Sequence, residues 1–75
     1  MANNDKVQSD KAKHKVLTDM EMEVLRLLAV GTKNDEIANT MGIGPHEVEV
    51  HISKIFEKIH APNTFQAALW AAKNL

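Results

Sequence analysis

Between Leu17 and Lys73 the apolar residues recur at three- and four-residue intervals, in four runs broken by glycine, proline and asparagine. That spacing is the period of amphipathic helices, not of strands. Thr18 followed three residues later by Glu21 is a capping-box signature that opens a first helix over about 19–30. At about 100° per residue, Met20, Val24, Leu27 and Leu28 share one face, and Gly31 supplies a left-handed stop. A second helix, 34–41, turns Ile37, Ala38 and Met41 inward and ends at Gly42. Gly42, Ile43 and Gly44 make a turn, after which Gly44 can cap a third helix and Pro45 suits its first position, where a missing N–H costs nothing. This helix runs over about 45–60, buries Val48, Ile52, Ile55, Phe56 and Ile59, and stops at Ala61-Pro62.

The fourth run, 63–73, is apolar on two sides. Phe65, Ala68, Leu69 and Ala72 form a stripe that would dock on the core, while Ala67, Trp70 and Ala71 lie opposite, with Asn74 at the helix end. A helix apolar on both sides needs two partners, and a second copy of the chain suits the outer one. The expected fold is therefore all-α: one four-helix domain over 17–75 with a helix-turn-helix, preceded by a tail or linker over 1–16 that lacks a helical period.

Composition narrows the function. With 75 residues, 44% of them hydrophobic, there is room for one small core. No apolar run approaches the roughly 20 residues of a membrane span, and no signal-peptide core is present, so a cytoplasmic protein with no membrane partner is expected. The absence of cysteine excludes disulfides and thiolate metal sites. Glu47 and His51 have an i, i+4 spacing that can hold a metal, but two ligands without a third make no site. His46 and His60 have no nucleophile paired with them, and no glycine-rich phosphate loop follows a strand. The reading is a non-enzyme without metal or cofactor. Charge is split: Lys6, Lys11, Lys13 and Lys15 outweigh Asp5 and Asp10 in the tail, whereas residues 17–75 hold five basic and eight acidic groups, for −3. Domains that bind nucleic acid are usually basic, so bulk electrostatics oppose non-specific affinity.

Opposite the buried stripe of helix 3 lie His46, Val50, Ser53, Lys54 and Glu57, flanked by Glu47 and Glu49. An apolar Val50 in the middle of that polar face is either an ordinary surface valine, which is the commoner case, or a contact for a thymine methyl group. The strings LT at 17–18, EVL-LLA-G from Glu23 to Gly31, N-EIA from Asn34 to Ala38, V-VH from Val48 to His51 and N--QAALWA from Asn63 to Ala71 closely resemble the C-terminal DNA-binding domain of the LuxR family of bacterial transcription regulators, which includes many response regulators. The resemblance covers 59 of the 75 residues. It implies a helix-turn-helix made by helices 2 and 3, helix 3 in the major groove of double-stranded DNA, and a homodimer formed through helix 4. Carried onto this chain, the DNA side comprises Lys33, Asn34, His46, Glu47, Glu49, Val50, Ser53, Lys54 and Lys58, and the subunit interface comprises Ala67, Trp70, Ala71 and Asn74.

Four positions depart from the family pattern. Asp35 replaces a common phosphate-contacting lysine, Glu47 a threonine, Glu49 a lysine and Thr64 an arginine. Glu49 falls in a VEVH string similar to the FixJ-type branch, and its carboxylate can accept a hydrogen bond from cytosine N4. Lys33 stands beside the start of helix 2, where free N–H groups can hold a phosphate. The alternative reading is a module impaired in DNA binding, which pairs with another regulator or docks on RNA polymerase.

Overall fold

A computed structural model describes residues 16–75, and among these there are four helices and no strand. They are α1 (Asp19–Ala29), α2 (Asn34–Met41), α3 (Pro45–Ile59) and α4 (Thr64–Asn74). The tail expected over 1–16 lies, apart from Val16, outside the described residues. The first cap is the one the sequence implies. Glu21 N–H donates to Thr18 Oγ1 at 3.1 Å, and Thr18 N–H donates to Glu21 Oε1 at 2.9 Å. At the other end, Thr32 N–H reaches Leu27 O at 3.0 Å across Gly31, whose φ of 92° belongs to glycine.

The same six-residue closure ends α2, where Ile43 N–H donates to Ala38 O past Gly42 at φ 71°. It also ends α3, where Ala61 N–H donates to Phe56 O, but there the left-handed residue is His60, at φ 58°. A side chain in that region costs about 1–2 kcal/mol. Helix 3 therefore stops at Ile59, one residue before the position expected from Ala61-Pro62. Asn63 is a cap outside α4, accepting from Gln66 N–H at 2.9 Å, and α4 continues to Asn74.

The core comprises Leu17, Val24, Leu25, Ile37, Ala38, Val48, Ile55, Ile59, Ala67 and Ala71. Helix α1 packs against all three other helices, so its buried sector is wider than one stripe. Val24 and Leu25 are fully enclosed and Leu27 and Leu28 half-buried, while Met20, expected inside, is exposed. The two faces of α4 are exchanged relative to expectation. Ala67 and Ala71 point into the core, whereas Phe65 is 67% and Leu69 47% exposed. Alanines one turn apart let the α4 backbone come close to α1, the helix it packs against most extensively. A Phe or Leu there would hold the two helices apart.

One polar side chain sits in this core. Glu21, with 7% of its side chain exposed, receives two hydrogen bonds from Lys58 Nζ, at 2.8 and 3.0 Å, and so ties the start of α1 to the last turn of α3. Burial pushes its carboxyl pKa up, but the hydrogen bonds from Lys58 and Thr18 and the Lys58 charge pull it further down, and the net shift is downward. A lowered folded-state pKa contributes stability that is complete above an unfolded glutamate's value of about 4.3 and is lost as pH falls through the folded value. Lys58→Met strands the carboxylate. Discounted for the 39% exposure of the Lys58 side chain, the cost is about 1–2 kcal/mol, or roughly 5–15 °C in Tm. Glu21→Gln keeps an oxygen for the Thr18 amide, yet flattens the loss of stability on acidification below pH 5. Thermal melts followed by circular dichroism from pH 3 to 7 measure both, and an unchanged acid dependence in Glu21→Gln would show that the pair contributes nothing.

Candidate nucleic-acid interface

The turn between α2 and α3 is fixed by the left-handed Gly42 and by Ile43, half-buried against the core. From there Gly44 leads into α3 in extended conformation, and Pro45 occupies its first turn. Val48, Ile55 and Ile59 anchor one side of α3 in the core, with Ile52 and Phe56 partly buried beside them. The opposite side is left to solvent. His46, Glu49, Val50, Ser53 and Lys54 are all exposed there, at the i, i+3, i+4, i+7 and i+8 positions of one helix face. Val50 is 39% exposed.

The two acidic residues of this region are held differently. The Glu47 carboxylate turns back to the helix start and accepts from Gly44 N–H at 3.4 Å. This is half of a capping box, since Gly44 has no side chain to return the bond, and it places negative charge where the α3 dipole favours it. Glu49 has 67% of its side chain exposed, with its Oε1 3.9 Å from His46 Nδ1.

Of the other expected contacts, Lys33 and Asn34 are exposed at the start of α2, where no side chain caps the free N–H groups. Asp35 and Glu36 in that first turn add negative charge beside them. Lys58, expected among the DNA contacts, is engaged by Glu21 instead. His51 is half-buried on α3, and its Nδ1 has no hydrogen-bond partner. Among the described residues no three His, Asp or Glu side chains gather where one metal ion could be held. No described helix is long and apolar enough to cross a membrane.

On α4, Ala67 and Ala71 are enclosed within their own chain and cannot form the subunit contact expected of them. Trp70 is half-buried, and its carbonyl accepts from the Asn74 side chain at 2.9 Å. The outward apolar residues are Phe65 and Leu69, one turn apart. Choosing inward positions by size concealed them; looking for a stripe of small residues that permits close helix approach would have found them.

The family profile for bacterial regulatory proteins of the luxR family matches residues 15–71. Over 60 residues the chain is 40% identical to the probable csgAB operon transcriptional regulatory protein of Salmonella typhimurium and to the CsgBAC operon transcriptional regulatory protein of Escherichia coli, covering 80% of this chain and 28% of each relative. It is 38% identical over 58 residues to the response regulator protein VraR of Staphylococcus aureus, covering 77% of this chain and 28% of that one. The chain thus spans little more than a quarter of the length of these relatives. No solved structure matches it. With its helix-turn-helix geometry and a family match over most of its length, the chain belongs to the luxR family of bacterial regulatory proteins.

Proposed function

We propose that residues 16–75 form the sequence-specific DNA-binding domain of a cytoplasmic transcription regulator, with α3 in the major groove. The observation that carries this reading is the solvent-facing side of α3: one helix face, rigidly backed by the core, presents hydrogen-bonding groups on His46, Glu49 and Ser53 around an exposed Val50. A major groove admits a helix and offers both hydrogen-bonding edges and thymine methyl groups to such a face. Lys33 and Lys54 serve phosphates, with Asn34 at the amino end of α2 as a neutral donor beside them. Pairing of two copies through Phe65 and Leu69, flanked by Trp70, would place two recognition helices on a two-fold-related site.

The relatives named for transcriptional regulation support this reading. The acidic balance favours a second one, a module that binds a regulator or RNA polymerase through α4 while α3 stays off DNA. Amide NMR titration separates them: shifts over residues 46–54 on adding duplex follow from the first, and silence there with shifts at 65 and 69 on adding protein follows from the second.

Selection from a random duplex library should enrich a two-fold-related sequence, and with so few cations the salt slope should be shallow, about −2 to −3 per protomer. If no sequence is enriched, the DNA reading fails. Glu47→Thr removes a charge that repels phosphate and should tighten binding about two- to fivefold, while the weakened start of α3 costs about 0.5 kcal/mol. Unchanged affinity would place Glu47 away from the DNA backbone. Phe65→Glu, at a position 67% exposed, should leave the melting curve intact and abolish self-association in sedimentation velocity. A variant that still dimerises would move the interface off this face.

A further inference from the structure

The two glutamates near the start of α3 differ in what their carboxylates are free to do. Glu47 is turned toward Gly44 N–H, on its own helix end. Glu49 projects from the exposed face, 67% open, with His46 Nδ1 3.9 Å from its Oε1, beyond hydrogen-bond distance. An ionised carboxylate only accepts hydrogen bonds. Of the groups that bases show in the major groove, guanine N7 and O6 and thymine O4 are acceptors and repel it. Adenine offers the N6 amino group but sets the N7 lone pair beside it. Cytosine offers its N4 amino group with no acceptor beside it on the same base.

We infer that Glu49 is a specificity-determining residue that selects a C·G base pair, with Val50 reading a thymine methyl on the adjoining pair. This rests on the DNA reading above. Residues 49 and 50 are adjacent on the exposed face of α3, which suits contacts to adjoining base pairs. His46, one turn away and 90% exposed, can itself donate to a phosphate or to the guanine of the selected pair.

The test uses selection from a random duplex library, followed by affinity measurements, with the wild-type chain, Glu49→Gln and Glu49→Ala. All three should melt alike, because Glu49 is exposed. The wild type should require a C·G pair at one position of each half-site, and replacing that pair should weaken binding about fivefold or more. Glu49→Gln should shift the preference there to A·T, since an amide both accepts from adenine N6 and donates to N7. Glu49→Ala should lose preference at that position alone. Deoxyuridine in place of the neighbouring thymine should weaken the wild type severalfold and leave Val50→Ala unaffected. If Glu49→Gln selects the wild-type sequence with wild-type discrimination, Glu49 is not the reader although DNA binding stands. If no duplex is enriched by any of the three, the DNA reading itself has failed and takes this inference with it.

Discussion

The Glu21–Lys58 pair is the constraint on which the placement of α3 depends. Hydrophobic contacts hold α1 against α3 by interdigitation around Val48, Ile55 and Ile59. To these the pair adds a directional bond, between a carboxylate fixed by the Thr18 amide at the start of α1 and an ammonium from the last turn of α3. The pair therefore converts a local cap into a tertiary strap. Its burial is costly by itself; what makes it favourable is that both Glu21 oxygens accept from Lys58 and one also serves the Thr18 amide. The exposed face of α3, on the far side from Val48 and Ile55, inherits its orientation from this joint.

Helix ends were the most legible part of the sequence because their chemistry is local. Thr18 and Glu21, Gly31, Gly42 and Pro45 each act on a backbone group within a few residues, so spacing alone identified their roles. The end of α3 was less legible, because His60 takes a conformation that composition assigns to glycine or asparagine. The Glu21–Lys58 strap was not legible at all. Its partners are 37 positions apart, and capping alone accounted for Glu21 while phosphate contact accounted for Lys58.

Helix α4 shows how a correct period can yield the wrong face. Both of its stripes are apolar, so periodicity could not rank them, and size favoured the stripe with Phe65 and Leu69. In the fold Ala67 and Ala71 face inward, where their small side chains let the α4 backbone lie close to α1. The consequence for function is direct. The larger apolar residues are left outside, where they can serve association, and the small ones make the core.

The distribution of cations bears on how such a domain would discriminate among DNA sequences. Of the five basic side chains in 17–75, Arg26 pairs with Glu23 at 3.4 Å and Lys58 with Glu21, which leaves Lys33, Lys54 and Lys73 without an ion pair among the described residues. Phosphate attraction is the sequence-independent part of DNA affinity, and within 17–75 it has only these three cations to draw on. On the DNA reading, base contacts from α3 must then supply a larger share of the total. A domain of that kind loses little to non-specific sites, so its acidic surface lowers binding to all DNA more than it lowers the ratio between the right sequence and the wrong one. Glu49 fits this arrangement twice, because the charge that repels a phosphate is the same charge that accepts from a cytosine.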